Sequence, residues 1–283
     1  IHMIVAAYLT TAFMVAGVGA FYLLRQRYVK HARVMFGMAM IMAVFVAPLQ
    51  LFFGDLHGLN TFKHQPAKVA AMEGIWETER GAALRLFGWP DQAAETTLYA
   101  IEIPKLTCLI LTHDLNGEVK GLKEWPSNER PPVALVFWMF RIMVGLGMLM
   151  IATGVIALVL YWRKRLFDTP WFKWWCLAMM PSGFIAVLAG WFVTEVGRQP
   201  YMVYGVLRTA DSASPVGGTP IAISLLAFVV TYGFVFGAGS YYIVKLIRKG
   251  PETTEGAKAY GDHGLKKPPV VGDPLSEKGG THV

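Results

Sequence analysis

The chain has 283 residues, 54% of them hydrophobic and 13% aromatic, a balance that excludes an ordinary water-soluble class and points to the bilayer as solvent. Its net charge of +7 does not mark a nucleic-acid binder, because the cations form short clusters between apolar runs and do not line a face among exposed aromatics. Two cysteines, Cys108 and Cys176, are too few for a disulfide framework or a cysteine metal site. The sequence opens Ile1-His2-Met3 with neither a basic segment nor a small-residue cleavage site, which reads as no signal peptide and as a sequence continuing upstream.

A spanning helix needs roughly 20 mostly apolar residues. The first such run is Met3 to Leu24 and the second Val34 to Phe53. The connector that follows, Gly54 to Pro132, mixes charged, Gly and Pro residues with helix-like stretches such as Pro66 to Arg80; connectors of this length are usually functional or disordered. Val133 to Tyr161, Trp174 to Val196 and Ile221 to Ile247 complete five spans, the third long enough to tilt or project beyond the bilayer. The remainder, Gly250 to Val283, is rich in Gly, Pro, Lys and Glu without apolar periodicity and is expected to be disordered. The expected organisation is an all-α integral membrane helical bundle with two spans in 1–53, a loop in 54–132, three spans in 133–249 and a tail in 250–283.

Lys and Arg concentrate on cytoplasmic connectors. Arg25, Arg27, Lys30 and Arg33 follow the first span, Arg163, Lys164, Arg165 and Lys173 the third, and Lys245, Arg248 and Lys249 close the fifth. All three clusters fall on one side, which places the 54–132 and 196–220 loops on the outer side and the tail in the cytoplasm.

An ionisable group in the hydrocarbon costs roughly 2.5–3.5 kcal/mol on insertion scales, so each one in a span is a functional candidate. His2, Arg141 and Glu195 are the clearest, all toward the outer leaflet. Met143 shares their depth, about 15 Å into the third span at about 1.5 Å per residue. A His and a Met on facing helices can ligate a six-coordinate haem iron, and Val5, Ala6, Thr10, Gly145 and Gly147 leave room for a macrocycle. The same spacing fits an interfacial histidine and a methionine used as core filler. Glu195 shares a helix face with Trp191 and Arg198, which suits either a ligand or an interfacial ion pair beside an aromatic-belt residue.

Longer strings narrow these alternatives. Gly190-Trp-Phe-Val-Thr-Glu-Val-Gly-Arg-Gln-Pro200 resembles the GWxxxExGRQPW signature of cytochrome bd subunit I, and Phe140-Arg-Ile-Met-Val-Gly-Leu-Gly147 its FRxMxGLG segment. Gln65-Pro-Ala-Lys-Val-Ala-Ala-Met-Glu73 resembles the quinol-loop motif QPxKxAAxE, and His2-Met-Ile-Val-Ala-Ala-Tyr8 the start of the family's fifth span. The four motifs occur in the family's order. The resemblance implies the last five of about nine spans of a haem-binding subunit, with the N-terminal part absent.

It further implies that His2 and Met143 ligate a low-spin haem b, that Arg141 stabilises that haem, and that Glu195 ligates a high-spin haem b or haem d with Trp191 packed nearby and Arg198 beside it. Lys68 would orient a quinone oxygen and Glu73 would accept a proton, although two such charges also suit a solvated helix face. Tyr201 stands where the family usually has tryptophan, and the quinol loop is of the shorter type. The function implied is electrogenic, non-pumping quinol:oxygen oxidation in a bacterial or archaeal cytoplasmic membrane. The partners implied are the N-terminal part of subunit I, subunit II, small single-span subunits and lipid. A bd-like cytochrome that passes electrons elsewhere without reducing oxygen is the alternative, and a haem-free transporter or scaffold a third.

Overall fold

The computed structural model describes residues 1–213 and 215–251; apart from Gly250 and Pro251, the expected disordered tail lies outside the described residues. Five helices are long and apolar enough to cross a membrane, α1 (His2–Leu24), α2 (Val29–His64), α5 (Val133–Trp162), the α6–α7 pair within Pro170–Val196, and α8 (Gly218–Lys249). Helix is the form such runs must take, because hydrocarbon offers no partner to a backbone N–H or C=O left outside the helix ladder. The chain is thus a multi-pass membrane protein with a helical bundle fold.

α2 differs most from expectation, running to His64 where the sequence suggested an end near Phe53. Leu56, Leu59 and Phe62 carry apolar residues onward, and Gly54 and Gly58 cost only about 1 kcal/mol each in a helix interior. The helix stops at Gln65, whose φ of −139° reflects the αR disfavour of a residue before proline. At about 1.5 Å per residue its 36 residues extend about 54 Å, well beyond a bilayer core. The fourth span is instead divided into α6 (Pro170–Ala178) and α7 (Ser182–Val196) by a turn through Met179–Pro181, as Pro181 lacks the N–H a continuous helix needs. Lys173, which reads as a loop cation, lies in α6 and is buried.

The 54–132 loop holds more order than its composition announced. α3 (Pro66–Glu73) starts on a proline whose missing N–H has no helical partner anyway and ends on Gly74 at φ +68°, a left-handed cap that favours glycine. β1 (Glu79–Arg80) pairs with β4 (Glu118–Val119), and β2 (Leu84–Asp91) with β3 (Thr96–Ile103), both antiparallel. Asp91 turns the second hairpin by accepting the N–H groups of Ala93 and Ala94. The short α4 (Leu106–Thr112) follows, and β5 (Tyr201–Val203) with β6 (Leu207–Arg208) forms a last small hairpin after α7.

α1 and α5 each pack on both α2 and α7, so these four make a ring with α1 and α5 on opposite sides, while α6 lies against α1. Leu9, Phe13, Ala43, Ala47, Met150 and Met179 fill the core. Close approach depends on small residues, as usual where lipid removes the hydrophobic drive between helices. A Cβ on Gly183 would fall 2.5 Å from Thr10 Cα, and one on Gly17 2.6 Å from Met180 Cβ. Chain contacts separate residues 1–232 from a second unit beginning at Gly233. The described part of that unit is the rest of α8 with the two residues after it; no residue of α8 is buried.

Gly183→Val is expected to force α1 off α7 and lower the detergent-denaturation midpoint of the purified complex, by about 1–3 kcal/mol of overpacking. Gly58→Ala, whose Cβ would meet nothing within 4 Å, is expected to leave that midpoint unchanged or slightly raised.

Candidate functional site

His2 begins α1 and is held by α2. Gln50 Nε2 lies 3.1 Å from its Nδ1 and 3.3 Å from its Nε2. The ring stacks on His57 with centroids 5.8 Å apart and planes 12° from parallel. A Cβ on Gly54 would come within 3.2 Å of His2 Cε1, so the glycine lets the imidazole lie against the helix. Gln50, Gly54 and His57 stand at i, i+4 and i+7, one face of α2.

Met143 lies across the ring on α5, with its sulfur over α7, where a Cβ on Gly190 would be 2.9 Å from Sδ. Beside it, Cβ atoms on Gly145 and Gly147 would meet nothing within 4 Å, leaving open space on that part of α5.

Arg141 points toward the loop. Its Nε donates to Arg85 O at 2.9 Å, its Nη1 to Met72 O at 2.6 Å and to Phe137 O at 3.1 Å, and its Nη2 also donates to Arg85 O. The guanidinium lies 3.3 Å over the Phe137 ring and 3.8 Å from Glu73 Oε2, both side chains being almost fully enclosed. Glu73 and Lys68 are therefore not a solvated helix face, with 6% and 7% exposure. Burial pushes the Glu73 carboxyl above its ordinary range, against the pull of Arg141 and Arg85.

Lys68 and Glu73, five residues apart, point about 140° from one another on α3, which explains why they reach different spans. Lys68 Nζ donates to Thr194 O at 3.3 Å at the end of α7. Its stem crosses Gly197, where a Cβ would fall 3.1 Å from Lys68 Cγ. Burial first, then the neighbouring Arg198, pushes its amine down to about 8, while Glu195 acts in the opposite sense. Arg198 Nη2 donates to Glu195 Oε2 at 2.5 Å, with both side chains 36% exposed. Such a half-exposed pair contributes under about 1 kcal/mol, too little to hold the carboxylate from a stronger partner. Trp191 is 58% exposed, and its ring partner is Phe192 at 5.4 Å.

The structure thus brings Lys68 to Glu195 and Arg198, and Glu73 to Arg141, two residues from Met143. Gln50, Gly54 and His57 were missed, as was Arg85, whose carbonyl and side chain fix β2. Gln50 carried a signal, an amide inside an apolar run, but a search restricted to ionisable groups passes over it. His57 carried none, because its contact with His2 depends on α2 continuing past Phe53.

Among the described residues, no three His, Cys, Asp or Glu side chains gather into a metal-holding group. The fold and site define a membrane protein with lone donors near one end of a bundle, bridged by an ordered loop helix. The model of the cytochrome bd terminal oxidase subunit I family matches residues 1–251, and the chain belongs to that family. It is similar to cytochrome bd ubiquinol oxidase subunit 1 of Bacillus subtilis, 34% identical over 89% of this chain and 56% of that protein. It also resembles cytochrome bd-II ubiquinol oxidase subunit 1 of Escherichia coli, 29% identical over 90% of this chain and 62% of that one. The bd oxidase structure from Geobacillus thermodenitrificans superposes with a TM-score of 0.80 at 29% identity, covering 88% of this chain and 57% of that one. The chain therefore spans somewhat over half the length of these relatives. The family implies haem cofactors, and the residues present suit them, with a soft thioether, an imidazole and open space beside Gly145 and Gly147.

Because Lys68 is held near 8 in the fold against an ordinary 10.5, the unfolded chain binds more proton between those values, so stability rises with pH across that window. Lys68→Met is expected to flatten the rise, whose full size is of the order of 3 kcal/mol, in denaturation midpoints compared with the unsubstituted protein from pH 8 to 10.5. An unchanged slope would mean Lys68 is solvated.

Proposed function

We propose that the chain is the C-terminal five-span part of a nine-span subunit I, working with the N-terminal part, subunit II and possible small single-span subunits as a quinol:oxygen oxidoreductase. The observation that carries this reading is the double attachment of α3, with Glu73 3.8 Å from Arg141 and Lys68 on the carbonyl of Thr194 beside Glu195. Quinol chemistry on the loop is thereby adjacent to both donor sets.

When bound, the haems, a low-spin b, a high-spin b and a d, supply electron transfer and oxygen reduction. The chain's own residues do the rest. Lys68 orients a quinol oxygen by donating to it. Glu73 takes the phenolic proton, a task that its raised carboxyl suits, since a base is most useful when its affinity for protons is close to the working pH. Arg141 holds Glu73 in place and keeps a positive charge two residues from Met143, favouring electron arrival on that side. His2 and Met143 would hold the low-spin haem and Glu195 a high-spin haem, with Arg198 and Trp191 bordering it.

The cation clusters after α1, after α5 and at the end of α8 support a cytoplasmic placement of those ends in a bacterial or archaeal inner membrane. The 54–132 loop then faces outward. Quinol protons are released outside and those for water are drawn from within, which makes the reaction electrogenic without pumping.

In the assembled oxidase, His2→Ala and Met143→Leu are expected to abolish the low-spin haem signal while high-spin signals persist, because neither new side chain offers iron a lone pair. Glu195→Gln is expected to lose or perturb one high-spin haem and quinol-driven oxygen uptake. Full haem content with ordinary spectra in all three variants would refute the ligand assignments; haem content as expected but no oxygen uptake by the unsubstituted complex would favour the non-oxidase alternative.

A further inference from the structure

Arg85 stands on β2 with its side chain only 11% exposed, and none of the roles given to Lys68, Glu73 or Arg141 uses its charge. Its Nε donates at 2.8 Å to Glu102, the residue directly across the hairpin, and its Nη2 donates to Glu79 at 3.4 Å. Its carbonyl takes two donors of Arg141, and the Arg141 guanidinium in turn lies 3.8 Å from Glu73. Nη1 of Arg85 is buried without an acceptor, just as Oε2 of Glu73 is buried without a donor. Two enclosed cations thus face three carboxylates. The cluster is neutral while Glu73 holds a proton and carries one excess negative charge when it does not.

The charges that bear on Glu73 come from two elements, Arg141 from α5 and Arg85 from β2. Burial raises the carboxyl and these two draw it back, Arg141 the more strongly. Glu79 on β1 and Glu102 on β3 act through Arg85. Other charges near α3 are engaged elsewhere. Lys68 points about 140° away, to the end of α7 with Arg198 and Glu195. Lys123 and Glu124, on the turn packed against α3, pair with Glu77 and Thr78, and Lys63 and His64 at the end of α2 are exposed.

We propose that Arg85 is a positioning residue for quinol deprotonation, a second cation that, held by Glu79 and Glu102, sets the pH range over which Glu73 is ionised and free to take the phenolic proton. This rests on the reading of Glu73 as the base. With Arg141 alone the enclosed carboxyl would hold its proton to higher pH, leaving less of it ionised to accept one from quinol. The two part-exposed acids limit the pull of Arg85, so that Glu73 still binds the proton it receives. A base works best when its affinity for protons lies near the working pH, and these opposed charges set that balance.

The carbonyl that holds Arg141 survives any substitution at position 85, so Arg85→Met removes the charge and leaves that attachment. In the assembled oxidase, with a short-chain ubiquinol at limiting concentration, the rate of low-spin haem reduction is followed against pH; its acid limb reports ionisation of the free base. Arg85→Met is expected to move that limb up by about one pH unit, the low end of what an opposite charge contributes. Glu79→Gln together with Glu102→Gln, whose amide oxygens still accept from Arg85, is expected to move it down, and by less, since part-exposed carboxylates are screened. Arg85→Lys, which keeps the charge, is expected to stay near the unsubstituted limb. An infrared titration of the carboxyl band that disappears in Glu73→Gln reads the same shifts without turnover. Lower rates with unmoved limbs, shifts of one sign in both, or a shift in Arg85→Lys as large as in Arg85→Met would mean that Arg85 only shapes the loop, and overturn the proposal. If Arg85→Met fails to assemble, the glutamine pair decides alone: a downward shift supports the proposal and an unmoved or upward one overturns it. An acid limb that persists in Glu73→Gln defeats the reading of Glu73 as the base, whatever the Arg85 variants show.

Discussion

The Arg141 guanidinium is a buried cation on a membrane helix, and the order of the loop follows from the need to satisfy it. A guanidinium presents five N–H donors in a rigid fork, and leaving a buried charge unpaired by removing its partner costs roughly 3–5 kcal/mol. The carbonyls of Phe137, Met72 and Arg85 accept those donors, and the carboxylate of Glu73 stands 3.8 Å away as the counter-charge. Met72 lies in the last turn of α3, where carbonyls lack helical partners and the helix dipole is negative, so the cation also stabilises that helix end. One side chain of α5 therefore fixes α3, β2 and the buried acid together.

The rest of the site elaborates this attachment. Gly74 ends α3 in a left-handed turn directly against the Phe137 ring, where a Cβ would sit 2.9 Å from Cε2. Thr97 Oγ1 donates to Gly74 O at 2.9 Å and receives Trp76 Nε1 at 3.1 Å, tying the hairpin to the helix cap. Arg85 closes the other side with Glu102 at 2.8 Å and Glu79 at 3.4 Å. Lys68 then fixes α3 to the end of α7. A loop secured at both spans keeps Lys68 and Glu73 in fixed positions relative to α7 and α5.

Much of the bundle was legible in the sequence because hydrocarbon imposes a single backbone solution on long apolar runs. The starts and ends of α1, α5 and α8 fall within a few residues of where hydropathy puts them. What escaped notice were features set by tertiary contact. The extension of α2 to His64 has no breaker before Pro66, yet polar residues such as Asp55, Asn60 and Lys63 read as loop. The break at Met179–Pro181 sits inside a run apolar enough to hide it. In the site, His2, Met143, Arg141 and Glu195 stand out as polar or soft groups at one depth, and the motif strings supplied Lys68 and Glu73. The partners of Arg141 could not be read, because three of the four are backbone carbonyls, two of them in the loop, and a carbonyl leaves no mark on composition.

The shared attachment of Glu73 and Arg141 can be measured most directly by a double-mutant cycle read on the rate at which quinol reduces the low-spin haem in the assembled oxidase. Glu73→Gln, Arg141→Lys and the pair together isolate their coupling. If one buried unit joins quinol deprotonation to electron transfer, the double variant will be little slower than the slower single variant, a coupling of about 1 kcal/mol or more. If the two rate losses simply multiply, Glu73 and Arg141 act independently and α3 does not couple the loop to α5.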